Sequence, residues 1–300
     1  MDFIDLDNVN EDLIHFNTQT TEQTITYLQS LGLLPIHKIC PRINCNRFMD
    51  LIPSTKTSDG VRFRCSRPCR KESSIRKKTF FENSNLPLKV ILRFIYYWAY
   101  EECSQKKIKR ELGLQNETIT DWKIFLREVC ILKLIANPVI LGGVGLVVQI
   151  DESLFIKRKY NVGRIVKEQW VFGGIDCVTK ECFAVLVEKR DAATLLPIIQ
   201  KYILPGTTVV SDLWRAYNCL GNEGYVHLTV NHSINFVDPY THANTNRVEN
   251  MWMRAKRRNK KECGTAKNLL ASYLSEFMWR QRLNKTPFTE IINDINLFYK

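Results

Sequence analysis

Apolar positions along the chain follow two rhythms. Leu88, Leu92, Ile95 and Ala99 recur at helical spacing, and so do Ile119, Trp122, Leu126 and Val129. Pro87 suits the first turn of the first helix, and Ser104 can cap a second helix that runs to Leu112 and stops at Gly113. Asn116 can cap a third helix. Past Asn137-Pro138 and Gly142-Gly143 the rhythm changes to short, β-branched runs. Strands are predicted over residues 146–151, 170–177 and 182–188, a helix over 192–202, a strand ending at Asp212, and another near 227–230. A last amphipathic helix carries Val248, Trp252 and Ala255 on its buried stripe, with Glu249 and Lys256 on a neighbouring face.

Three consecutive strands, a helix, a fourth strand and a later acidic helix is the order of an α/β, ribonuclease H-like fold. In that fold the first and fourth strands are neighbours, so Asp151 and Asp212 lie side by side. The expected organisation is a polar segment over 1–35 with a short helix near 21–32, a zinc-ribbon module over 36–82 and a helical region over 83–140. A catalytic domain over 141–284 and a C-terminal helix over 285–300 complete it. Two helices joined by a Gly-containing turn give the 83–140 region a helix-turn-helix-like character, with Thr118, Thr120, Lys123 and Arg127 expected to face outward toward DNA; any packed three-helix unit gives the same stripes. The terminal helices (Leu270, Tyr273, Leu274, Phe277; Ile291, Ile292, Ile295) fit either a dimer interface or ordinary core.

Composition narrows the partner. Lys and Arg (43) exceed Asp and Glu (31) by 12 in 300 residues, which favours a polyanion. No uncharged apolar run approaches the roughly 20 residues of a spanning helix. The acidic start Asp2-Phe3-Ile4-Asp5 lacks the pattern of a secretory signal, so the chain is expected to stay inside the cell, in the nucleus of a eukaryote. Ten cysteines in such a compartment are expected to be metal ligands or buried thiols rather than disulfides. Cys40 and Cys45, then Cys65 and Cys69, form two close pairs around the turn signal Ser58-Asp59-Gly60, which predicts a tetrahedral Zn²⁺ site in a small ribbon. Four unligated core cysteines is the alternative, although so short a segment has little core without a metal. The surrounding arginines and lysines, Arg42 to Lys78, suggest phosphate contact or a solvated face.

The sharpest feature is a carboxylate ending an apolar strand that has no structural use for one, at Val147-Val148-Gln149-Ile150-Asp151-Glu152. Asp212 ends a second such strand, and Glu249 lies on the acidic helix. Each acid alone reads as a turn or helix cap. Together they predict a cage of oxygen ligands for Mg²⁺ or Mn²⁺. Lys256, seven residues and roughly 10 Å beyond Glu249 along the helix, is spaced to hold a flanking phosphate. Arg254, Arg257 and Arg258 are further candidates for the DNA backbone. His232 fits a substrate contact or a backbone-bonded histidine equally.

From Cys40 to Arg282 the sequence resembles the Merlin superfamily of DNA transposases and their bacterial insertion-sequence relatives. The resemblance rests on the cysteine pairs, Ser74-Ile75-Arg76 with Phe80-Phe81, Ile150-Asp151-Glu152 and Trp170-Val171-Phe172-Gly173-Gly174. It continues through Pro205-Gly206-Thr207-Thr208, Ser211-Asp212, Val230-Asn231-His232-Ser233 and the 246–256 helix. Ala243-Asn244-Thr245-Asn246 departs from the family's shorter His-Thr-Asn run. The resemblance implies an acidic triad at Asp151, Asp212 and Glu249, a helix lysine at Lys256, and cut-and-paste transposition of double-stranded DNA at terminal inverted repeats. It implies two Mg²⁺ about 4 Å apart across the scissile phosphate, with the freed 3′-OH as the second nucleophile. Pairing two transposon ends calls for a homodimer or higher oligomer. A non-catalytic DNA-binding descendant and a structure-selective nuclease on the same fold are the competing functions.

Overall fold

The computed structural model describes residues 6–156, 168–231, 234, 237–261 and 267–299, without the side chains of 258, 259, 261 and 267. His232 and the basic stretch 157–164 therefore lie outside the described residues. The chain divides into two units: Met1–Val129 with Leu283–Lys300, and Cys130–Arg282.

The first unit begins with α1 (Glu11–Phe16) and α2 (Thr21–Ser30). Thr20 and Gln23 form a capping box that fixes the start of α2. Four antiparallel strands follow in the order β1-β2-β3-β4: Lys38–Ile39, Phe48–Pro53, Val61–Cys65 and Glu72–Ser73. The turn between β2 and β3 buries Asp59, because Arg76 donates to it through Nε at 2.7 Å and spends Nη1 on the Ser84 carbonyl at 2.7 Å. Arg76 is thus a structural clamp and drops out of the basic surface expected around the cysteines.

Helix α3 (Leu88–Ala99) buries eight of its twelve residues, because α1, α2, α4 and a late helix all pack against it. Ser104 caps α4 (Gln105–Leu112) by accepting from Lys107 N, and Gly113 ends it at φ 67°. Then comes α5 (Asn116–Ala136). Here one expectation is corrected. Lys123 and Arg127 do not face outward; they are 7% and 1% exposed. The buried face of α5 spans Ile119, Trp122, Leu126 and Cys130, and the i, i+4 pair 123/127 falls within it. Glu117, Asp121, Phe125 and Glu128 are exposed instead. That surface repels phosphate, so Lys123 and Arg127 are not carried into a DNA interface.

The second unit is a five-stranded sheet in the order β7-β6-β5-β8-β9. Its strands are β5 (Val147–Ile156), β6 (Gln169–Asp176), β7 (Cys182–Val187), β8 (Thr208–Asp212) and β9 (Val226–Val230). β5, β6 and β7 run antiparallel as a meander, whereas β8 pairs parallel to β5 and β9 pairs parallel to β8. This is the ribonuclease H-like topology. One face carries α6 (Ala192–Tyr202), whose Leu195 and Ile199 pack with Val148, Ile150, Phe172 and Phe183. The other carries α7 (Asn246–Lys261) and α8 (Leu270–Gln281), which bury Val248, Trp252, Leu274 and Phe277 against Val171 and Ile175. Arg282 closes the unit by donating to the Asn137 carbonyl at 2.6 Å. The chain then returns to the first unit as α9 (Pro287–Phe298), where Thr289 donates to Asp7 at 2.9 Å and Asn296 to the Leu31 carbonyl at 2.7 Å. No helix among the described residues is long and apolar enough to cross a membrane.

Candidate active site and metal centre

Strand alternation decides which side chains meet. In the β5/β8 pairing Val147 faces Thr208 and Gln149 faces Val210. Carried two residues further, that register sets Asp151 opposite Asp212, on strands roughly 4.8 Å apart. Both project to the α7 side, the side of Gln149 and Val210. Glu249, in the first turn of α7, is the third acid. Burial, the adjacent Glu152 charge, and the charges of Asp212 and Glu249 push the Asp151 carboxyl up to about 7. Asp151 thus feels the charge of both other acids, although the three carboxylates do not close to within 4.8 Å of one another as a set.

Gln149 fixes the helix that carries Glu249. Its Oε1 accepts from Arg247 N at 2.8 Å and Val248 N at 3.1 Å, and its Nε2 donates to Asn244 Oδ1 at 3.3 Å. A buried strand side chain therefore satisfies the first amides of α7. Thr245 Oγ1 donates to Glu249 Oε1 at 2.9 Å, which orients the carboxylate. The helix comes this close because β6 has glycine beneath it: a Cβ on Gly173 would stand 2.6 Å from the Trp252 ring. Gly173 is also the β6 partner of Asp151. Further along α7, the Lys256 ammonium lies 5.5 Å from the Phe155 ring centre, while Arg254 and Arg257 are exposed. The Arg258 side chain lies outside the described residues.

β5 runs on to Ile156, past the end predicted at Asp151, and the α6 side of the sheet beside Asp151 holds groups that periodicity did not reveal. Tyr217 donates its hydroxyl to Glu152 Oε1 at 2.6 Å. Burial raises the Glu152 carboxyl, opposed by that hydrogen bond and by the Arg190 charge. Arg190 is stacked on Trp170, 3.8 Å from the ring centre, and lies 5.1 Å from the Trp214 ring centre. Trp214 N–H donates to Asp212 Oδ1 at 3.0 Å, so this aromatic group is tied to the acid two residues before it.

In the first unit the four predicted cysteines converge. The ligand atoms of Cys40, Cys45, Cys65 and Cys69 all lie within 4.8 Å of one another, and among the described residues they alone close to that spacing as a set. Cys40 and Cys69 sulfurs are 3.6 Å apart, as are those of Cys45 and Cys65. A disulfide needs about 2.05 Å. Four sulfurs about 2.3 Å from one tetrahedral ion are separated by about 3.8 Å, so the set fits zinc. The Lys71 amide lowers the Cys69 thiol to about 6, whereas burial raises the Cys65 thiol to about 12, so of these two Cys69 is the readier thiolate. Beside Cys65 a notch of about 290 Å³ is lined by Asp50, Ile52, Arg64, Ser66, Arg67 and Arg70.

These features accompany matches to known proteins. Residues 145–282 match the ISXO2-like transposase domain, which makes this a DDE-type nucleic-acid-processing enzyme in class. An uncharacterized transposase-like protein of Haemophilus influenzae is 36% identical over 98 residues, covering 33% of this chain and 78% of that protein. The chain belongs to the insertion-sequence transposase family that carries this domain. Among solved structures, the catalytic core domain of BIV integrase shares 17% identity over 43% of this chain and 80% of its own, at a TM-score of 0.30. The HTLV-2 integrase catalytic core shares 12% over 46% and 86%, at 0.29. Likeness at that level carries no functional weight, and the fold assignment stands on the strand order above.

Proposed function

We propose that the chain is a cut-and-paste DNA transposase of the Merlin type, acting within the cell on double-stranded DNA with terminal inverted repeats. The observation that supports this reading is the β5/β8 register, which stands Asp151 beside Asp212, with Glu249 in the first turn of the helix on the same side of the sheet. Like charges gathered in a half-buried site call for a cation, and an all-oxygen donor set suits Mg²⁺ or Mn²⁺. A bound ion supplies neutralisation of the scissile phosphate and acidification of the attacking water. Asp151, Asp212 and Glu249 would supply its oxygen ligands. Gln149 and Thr245 hold Glu249 in place. Lys256, with Arg254, Arg257 and Arg258, holds the flanking phosphates, and the four-cysteine module with Zn²⁺ and its arginines also binds DNA. Two copies acting together pair the two ends of the element.

The test uses purified chain, Mg²⁺ and DNA carrying candidate end repeats. Asp212→Ala is expected to abolish strand cleavage and joining while end binding stays nearly intact. Metal-dependent cleavage retained by that variant removes Asp212 from the mechanism. Wild-type nicking without joined products indicates a nuclease, and binding without either indicates a non-catalytic descendant. Lys256→Ala is expected to flatten the salt dependence of binding; an unchanged slope removes its phosphate contact.

A further inference from the structure

The Trp170–Arg190–Trp214 stack has no role in holding ions, yet it is built to an unusual specification. Two indoles pack beside the guanidinium, with ring centres 3.8 Å and 5.1 Å from its carbon. Among the described residues the Arg190 side chain makes no hydrogen bond and no close ion pair, and its charge acts on Glu152 only through space. A guanidinium carries five N–H donors in one plane, a geometry suited to two oxygens of a phosphate. Trp214 is fixed at both ends, by its indole N–H on the Arg190 carbonyl at 3.0 Å and its backbone N–H on Asp212. It nevertheless remains 42% exposed, with Leu213 beside it at 56%. Since the polar edge of the indole is tied down, what it offers to solvent is aromatic surface. Holding a large indole rigid and open next to the acidic end of a sheet makes no sense as core packing.

We propose that Trp170, Arg190 and Trp214 form a nucleotide subsite beside Asp212, in which the guanidinium edge takes a backbone phosphate and the open Trp214 surface takes an unpaired base. The base must be unpaired, because within a duplex both faces of each base are covered by its neighbours. Every base has a π-face, so the subsite recognises strand state rather than sequence. This deepens the reading of the second unit as DNA-acting: the strand end at the carboxylates is held frayed. Sequence supports the arrangement only in hindsight, because the three residues are separated by twenty or more positions and meet through strand pairing.

The experiment measures equilibrium binding of the full, zinc-loaded chain to short duplexes that differ only in a single-stranded tail at one end, with no Mg²⁺ added so that cleavage plays no part. Wild type is expected to prefer the tailed duplex by about 5- to 100-fold, the range of one base stacked on an aromatic side chain. Trp214→Leu, which keeps apolar bulk without a π-face, is expected to erase that preference and leave blunt-duplex binding unchanged; Trp214→Phe is expected to retain much of it. Arg190→Gln is expected to lower the slope of log affinity against log salt by about 0.7 for the tailed probe. A tail preference that survives Trp214→Leu, a wild type with no tail preference, or an unchanged slope for Arg190→Gln overturns the proposal. A chain that shows the preference and its loss, yet neither cuts nor joins DNA, keeps the subsite and loses the transposase reading. A chain that joins DNA without any tail preference loses the subsite alone.

Discussion

Replacing Asp151 by asparagine separates the electrostatic account of the acidic site from a merely structural one. Asparagine keeps the oxygen that accepts the Glu152 amide at 2.8 Å and removes only the charge. In the metal-free protein the Asp151 carboxyl is raised from 3.8 to about 7. A carboxyl raised on folding costs no stability below its unfolded value, and the cost grows as pH rises toward the folded value and then levels off. From that shift, the cost is about 0.5 kcal/mol near pH 4 and about 4 kcal/mol near pH 8, the latter an upper figure. Asp151→Asn is therefore expected to be nearly neutral near pH 4 and to stabilise the metal-free protein near pH 8. Mg²⁺ should raise the stability of wild type near pH 8 and leave the variant unmoved. Urea unfolding at both pH values, with and without Mg²⁺, measures all of these. An equal effect at the two pH values, or destabilisation near pH 8, refutes the claim that neighbouring acids and burial strain this group.

Three other perturbations probe the frame around the site. Gly173→Ala puts a methyl group 2.6 Å from Trp252 and is expected to cost about 1–3 kcal/mol in thermal or urea unfolding; wild-type stability would mean that α7 does not press on β6. Gln149→Ala strands the Arg247 and Val248 amides and should cost about 1–3 kcal/mol while lowering cleavage more than DNA binding. Elemental analysis should find one zinc per chain, lost in Cys45→Ala together with resistance of the four-cysteine module to proteolysis; full zinc content in that variant would remove Cys45 from the ligand set.

Much of the fold was legible because apolar rhythm reports burial. Helix α6 occupies the predicted residues 192–202, and β8 ends at Asp212 as expected. The cysteine pairs converge because their spacing left few other uses for four thiols. Rhythm fails where a polar residue is buried. Lys123 and Arg127 read as outward only because charge is taken to mean solvent, and the broad buried face of α5 includes them. Gln149 sits inside an apolar strand, yet it caps a helix almost a hundred residues later, a partnership no strand pattern reports. The partnership of Glu152 with Tyr217 and the Arg190 stack likewise depend on pairings across the sheet, which no local window contains.

The path of the chain also sets an order of assembly. The helical unit is finished by α9, which arrives only after the whole of Cys130–Arg282 has been threaded between its parts. Bringing the ends of a flexible loop of roughly 150 residues together costs about 4 kcal/mol in chain entropy. Once the inserted sheet has folded, the Arg282–Asn137 contact already holds those ends together, and that entropy need not be lost again. The sheet unit thus acts as a clasp for its host. Damage that unfolds it leaves α9 to find its place from a distance, so a lesion in the sheet unit's core is expected to loosen the helices of the first unit as well.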